Sequence, residues 1–181
     1  ESNTTGQSNI GVGFTPLTRN TTGNSNIAIG GSALYNSETL SNQIAIGDSA
    51  LYANEVGENN LAIGIKALLL NSSGEDNLAI GNTTLAANTS GSFNLAIGVE
   101  ALQMNTTGGM NIAIGAGAMT NNTTGEHNVS VGDATLLNNT TGNRNVSIGG
   151  QSLVFNQDGN NNIAIGNNAL ESNAHGSANI A

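Results

Sequence analysis

Residues 94–110 read N-L-A-I-G-V-E-A-L-Q-M-N-T-T-G-G-M, and variants of this stretch fill the chain. Its first residue belongs to the series Asn9, Asn26, Gln43, Asn60, Asn77, Asn94, Asn111, Asn128, Asn145, Asn162 and Asn179, spaced by 17 residues with no insertion or deletion. The consensus is N-[ILV]-A-[IV]-G-x-x-A-L-x-x-N-T-T-G-x-x. Residues 1–181 are thus one repeat array of 8 leading residues, ten units and 3 trailing ones. Residues 3–6 (N-T-T-G) already belong to a preceding unit, and Asn179-Ile180-Ala181 opens another. The array reads as cut mid-unit at both ends, the expectation for a segment of a longer array or for a piece that stacks on copies of itself.

Each position of the unit, counted from its Asn, has a physical reading. Positions 2 and 4 are Ile, Leu or Val throughout, as in Leu95 and Ile97. Large residues spaced by two point the same way on a strand. Position 3, between them, stays Ala, Ser or Gly, and position 9 is Leu except for Met119. Position 5 is always Gly and position 15 is Gly except for Leu40. Two such glycines per unit are expected at two corners of positive φ. The unit is then a strand, a Gly corner, a short A-L segment and an N-T-T-G turn. For the A-L segment a short second strand is favoured, with a single helical turn as the alternative.

Three large apolar side chains per unit cannot bury a core alone. Stacking the units so that each aliphatic position becomes a ladder removes the difficulty and gives an all-β chain, a parallel β-solenoid (β-roll or β-helix) of about ten 17-residue coils. Coils about 4.8 Å apart would make a rod roughly 50 Å long. The Asn positions, Asn9 onward and Asn20, Asn54, Asn71 through Asn173, should bond side chain to side chain along the rod. Position 3 faces away from the aliphatic ladder by strand alternation. Its constancy (Ala28, Ala45, Ala62, Ala79, Ala96, Ala113 and Ala164) marks it as a seam where another copy approaches, in a homotrimer or a filament, with packing against the opposite layer of the same chain as the alternative.

Composition narrows the function. Only 8% of residues are charged, with 12 acids against three bases (Arg19, Lys66, Arg144), for a formal charge of −9. Such a surface repels phosphate backbones, which argues against nucleic acid. The longest apolar run, Leu61 to Leu70, is broken by Gly64 and Lys66, too short and polar to span a membrane. With no Cys there are neither disulfides nor thiolate zinc sites.

The N-I-A-I-G-x-x-A core, as in Asn26 to Ala33 and Asn111 to Ala118, resembles the head repeat of trimeric autotransporter adhesins of the YadA type. With its A-L-x-x-N-T-T-G tail the unit also resembles repeats of phage and bacterial fibre proteins. The resemblance covers the whole chain, although the adhesin repeat is commonly shorter. It implies three associated chains, each a left-handed parallel β-roll, with the small residue between the aliphatics facing the threefold axis.

No pattern reads as an active site, and neither catalytic nor cofactor-binding residues are expected. His127 and His175 lie at different positions of the unit and read as exposed turn residues. Glu58 and Glu75 stack in neighbouring coils beside Asp76, a weak metal candidate against the reading of a solvated acidic edge. Asn20, Asn71, Asn88, Asn105, Asn122 and Asn139 head glycosylation sequons, with others at Asn82, Asn121 and Asn128. In a glycosylating host they would line one edge with sugars, although Asn-Thr-Thr-Gly is also good turn chemistry. Tyr35 and Tyr52 share a position with Leu69, and Leu70, Met104 and Phe155 share the next.

These readings converge on a structural, non-enzymatic protein. It is expected to be the shaft or head of an extracellular adhesin, surface filament or viral tail fibre, at the cell surface or on a virion. Its expected partners are copies of itself and a host surface or matrix receptor. The alternative is ice binding by the Thr ladder, in which Thr106, Thr123 and Thr140 stack beside Thr107, Thr124 and Thr141.

Overall fold

A computed structural model describes residues 2–181. Ten three-residue strands, β1 (Ile10–Val12), β2 (Ile27–Ile29), β3 (Ile44–Ile46), β4 (Leu61–Ile63), β5 (Leu78–Ile80), β6 (Leu95–Ile97), β7 (Ile112–Ile114), β8 (Val129–Val131), β9 (Val146–Ile148) and β10 (Ile163–Ile165), form one parallel sheet in chain order. Every strand pairs with the one a full unit away, Leu95 with Ile112 and Ile97 with Ile114, so identical positions stack without stagger. The chain is a β-solenoid with one 17-residue unit per coil, and no helix occurs among the described residues.

The inside and outside of the coil are the reverse of the expectation. At positions 2 and 4 the Ile, Leu and Val side chains look outward and stay partly exposed, while the Ala between them is fully buried. The interior holds two small positions, 3 and 8 (Ala96 and Ala101), the Leu of position 9 (Leu102), and the Asn of positions 1 and 12 (Asn94 and Asn105). The seam assigned to Ala28, Ala45, Ala62, Ala79, Ala96, Ala113 and Ala164 is therefore corrected, because each has no accessible surface within its own chain. A coil this thin has room only for small side chains, mostly Ala, between the strand and the turn segment across from it. Because strand side chains alternate, choosing which of two adjacent columns is inside moves the whole ladder to the other face.

The A-L segment is neither a strand nor a helical turn. Positions 6 to 11 are turns, with left-handed residues at positions 7 and 9 in every complete coil, as at Glu100 (φ 62°) and Leu102 (φ 51°). This explains a sequence regularity. Position 9 is Leu or Met and never Ile, Val or Thr, in keeping with the strain of a β-branched residue at positive φ inside a packed core; at the less buried position 7 the chain accepts that strain at Thr15 and Thr83. Intercoil bonding continues through this irregular stretch, with the Leu102 N–H donating to the Ala118 carbonyl at 3.0 Å and Met104 to Thr120 at 2.9 Å.

The two glycines do different work. Gly98 at position 5 sits at φ +132°, the corner that was expected. At position 15 Gly108 has no positive φ; a Cβ there would lie 2.4 Å from the Gly125 carbonyl oxygen and 2.6 Å from Asn105 Oδ1. Position 15 is Gly because the next coil and two Asn side chains crowd it.

Those Asn side chains are the polar interior. Asn122 Nδ2 donates to Asn105 Oδ1 at 2.8 Å and to the Gly125 carbonyl at 3.0 Å. The same pattern carries Asn71, Asn88, Asn105, Asn139 and Asn156 onto the coil before each. At position 1, Asn94 Oδ1 accepts from the Asn111 backbone N–H and Nδ2, while Asn94 Nδ2 bonds the Gly108 carbonyl. Burying two amides per coil is tolerable because their donors and acceptors are matched along the rod.

Candidate interaction surface

A rod of stacked turns offers surfaces rather than clefts, and the strand face is the most distinctive. Twenty Ile, Leu and Val side chains occupy positions 2 and 4 of the ten strands, and no polar residue interrupts them. The flat ladder shields their flanks and leaves their outer surfaces open, so Ile112 is 37% and Ile148 38% exposed. Ten strands span nine spacings of about 4.8 Å, and a width of about 15 Å gives roughly 650 Å² of apolar face. That lies at the upper end of what a monomer leaves uncovered and near the roughly 800 Å² per partner of a standard interface. β-branched residues fit here because positions 2 and 4 have ordinary strand conformation.

The other sequence-singled residues fall into separate places. Asn20, Asn71, Asn88, Asn105, Asn122 and Asn139 are at most 1% exposed, and each Nδ2 already donates inside the coil. The expectation of a sugar-lined edge on these six is corrected, because a glycosylated amide nitrogen could not occupy the ladder. Asn128 is buried likewise, Asn121 Nδ2 bonds Asn138, and Asn82 is exposed. Glu58, Glu75 and Asp76 are all exposed. Among the described residues no three acid or His side chains come together as a metal site, these included.

His127 and His175 are exposed; His175 Nδ1 lies 2.8 Å from Asp158 Oδ1 in the coil before it. The Tyr35 and Tyr52 rings stack at 5.2 Å and 15°, both half-buried, so each covers a face of the other. The hydroxyls of Thr106, Thr123 and Thr140 each donate to a backbone carbonyl one coil on, at 2.9 to 3.0 Å. Those donors are spent within the rod, and of the two rows only Thr107, Thr124 and Thr141 are exposed.

Positions 3 and 8 carry a signal that sequence reading missed. Where position 3 becomes Ser, position 8 becomes Thr or Ser: Ser130 meets Thr135, and Ser147 meets Ser152, in hydroxyl–hydroxyl contacts inside the coil. In most coils both are Ala, as in Ala96 with Ala101. These contacts show that the two positions face each other across the interior; Thr84, opposite Ala79, donates to the Gly98 carbonyl instead.

No family model, curated protein or solved structure matches the chain.

Proposed function

We propose that this chain is a rod segment of an extracellular fibre, in which copies of the chain pack side by side through the apolar strand face. The observation that carries the reading is that face: twenty aliphatic side chains in two unbroken columns, on a rod whose other surfaces are turns. Water-exposed columns would drift towards polar residues, as position 6 does with Asp48, Asn82 and Asp133. The fold supports the structural role, since each added unit lengthens the rod by one coil held by backbone and Asn ladders. The resemblance to adhesin heads and fibre repeats points the same way, towards the shaft or head of a surface adhesin, surface filament or viral fibre, with a host surface or matrix receptor as the outer partner.

The test is the absolute mass of the chain by light scattering, with Ile97→Lys/Ile114→Lys as the comparison. The wild type should have two or three chain masses of 18.1 kDa, or grow with concentration. The variant should keep the wild-type circular dichroism and fall to one chain mass. A wild type that stays monomeric at high concentration overturns the reading.

A further inference from the structure

We propose that the notch beside Gly109 binds one pyranose ring of an uncharged saccharide, stacked on Phe93 and held by two backbone N–H groups that the chain leaves unbonded. The site needs one chain only and does not rest on the association proposed above. Position 16 of the unit shows how the notch arises. There each backbone N–H donates to the position-16 side chain one coil on wherever that side chain is Asn or Ser. Glu75 donates to Ser92 Oγ at 3.0 Å in this way, and Glu126 to Asn143 Oδ1 at 2.8 Å. Gly109 has no side chain to offer, so the Ser92 N–H has no acceptor among the described residues. The Gly109 N–H has none either, although Glu126 follows it in the column.

The missing side chain leaves a depression of about 260 Å³ between two coils. Ser90, Ser92 and Phe93 line it from one coil, Thr107, Gly109 and Met110 from the next, and Glu126 stands at its far side. That volume is below the roughly 300–1,000 Å³ of sites for drug-sized ligands and suits a single ring. Phe93 and Met110 are 56% and 52% exposed and hold positive φ, 61° and 58°, where most other coils use Ser, Asn or Asp. A bulky residue in the left-handed region is strained, and strain at an exposed position points to use rather than to packing. The Ser90 and Thr107 hydroxyls are exposed and bond nothing among the described residues.

The ligand class follows from this set of groups. The Phe93 ring and the Met110 thioether give an apolar floor for the C–H face of a sugar. Two N–H donors, two hydroxyls and the Glu126 carboxylate are left to meet its hydroxyls and ring oxygen. An anion would face Glu75, Asp76 and Glu126 with no Lys or Arg lining the depression, and is repelled. A cation would meet the carboxylate but leave both N–H donors without acceptors. The Ser41 and Glu58 N–H groups are unbonded too. There the next coils carry Glu58 and Glu75, and the adjoining position-17 residues are Asn42, Asn59 and Asp76, so no apolar floor is present.

The repeat itself supplies the blocking variant. Gly109→Ser puts an Oγ where Ser92 provides one for the Glu75 N–H, so it caps the Ser92 N–H and fills the notch. Gly109 has no positive φ, and its Cβ would meet the Ser92 carbonyl oxygen at 2.9 Å, so the coil must give slightly. Phe93→Ser, which copies Ser8 and Ser25 at the same position, covers the case of a chain that does not fold. Both variants should keep the wild-type circular dichroism. Maltotriose, cellotriose and chitotriose are titrated to roughly 20 mM against the ¹⁵N-labelled chain, a range set by the weak affinity of so small a contact. At least one should move the Ser92 and Gly109 amide resonances together and saturably, with a dissociation constant of about 1–10 mM. Each variant should weaken that binding by about tenfold or more. No shift at these two amides with any of the three sugars, or the same binding in Phe93→Ser, overturns the proposal. Equal shifts with methylammonium chloride or sodium acetate would mark a site for charge and overturn it too. Light scattering reads association separately, so a monomeric chain that still binds removes the strand-face reading and leaves this one.

Discussion

The side-chain oxygen of Asn20 is buried without a hydrogen-bond partner because Ser37, one coil on, stops short of it. In the regular ladder an Asn amide would fill that gap, as Asn71 does for Asn54 at 3.1 Å. Leu40, three residues after Ser37 in the same coil, replaces the position-15 Gly. The two exceptions explain each other. Where Asn stands at position 12, its Oδ1 would lie 2.4 Å from a Cβ at position 15, as between Asn71 and Gly74. Ser withdraws that oxygen, and Leu40 fills the space at 7% exposure.

Ser37→Asn and Leu40→Gly should therefore be strongly non-additive. Ser37→Asn alone drives an amide into Leu40, and Leu40→Gly alone opens a cavity, each costing about 2–4 kcal/mol. The double variant restores the ladder and should sit within about 1 kcal/mol of the wild type, the regained hydrogen bond offsetting part of the lost leucine burial. Urea unfolding of the four proteins reads the cycle directly. Additive losses would show that the two exceptions are unrelated.

Glycine substitutions should sort by cause. At Gly108 a Cβ meets the next coil's carbonyl and two Asn side chains, so Gly108→Ala should cost more than about 3 kcal/mol. Gly117 has φ +66° but nothing within 3.6 Å, and Ala there should cost about 1 kcal/mol of backbone strain. At Gly150 there is neither positive φ nor an atom within 3.5 Å, and Gly150→Ala should gain about 0.4–1 kcal/mol by restricting the unfolded chain. Thermal unfolding of the three variants should give that order, and a Gly108→Ala chain as stable as Gly150→Ala would contradict the crowded position 15.

Leu102→Ile conserves volume, and in an ordinary core such a swap costs less than about 1.5 kcal/mol. Here Leu102 is left-handed at φ 51°, where a β-branched side chain clashes with its own backbone. The loss should reach about 2–4 kcal/mol, with the left-handed strain added to the usual repacking. The reverse change on the strand face, Ile97→Leu, should cost under about 1 kcal/mol because the backbone there is extended and the side chain is only partly buried. Equal losses at the two sites would remove the conformational account of the Leu column.

The coil, its length, its parallel register and its Asn ladders were legible in the sequence, because a strict 17-residue period forces identical residues to stack. Which columns point inward was not. Ile is larger and more apolar than Ala, and with a single unit in view the larger residue belongs inside. The coil's thinness overrules that preference: Ala96, Ala101 and Leu102 fill the interior and leave no room for Ile97. The changes at Ser130 with Thr135 and at Ser147 with Ser152 pointed to the answer, since in both coils the two residues are in contact, while Thr84 opposite Ala79 kept the pattern from being regular. The position-15 glycines misled in a similar way, because crowding by a neighbouring coil has no local signature to separate it from positive φ.

The inversion of the strand has a direct test in two neighbouring residues. Ala96 is fully buried within its own coil, and Ile97 looks outward. Ala96→Leu must push three extra heavy atoms into a filled interior, and should destabilise the chain by about 3 kcal/mol or prevent it from folding. Ile97→Thr keeps the β-branch, loses little burial in the single chain, and should cost under about 1.5 kcal/mol in unfolding experiments run at monomer concentrations. Its effect belongs to association: with a hydroxyl in the middle of the apolar face, the mass measured at a fixed concentration should fall relative to the wild type. If Ala96 lay at a seam between copies, the assignments would be exchanged, Ala96→Leu lowering the mass and Ile97→Thr the stability. Unfolding and light scattering on the same two variants decide between these placements.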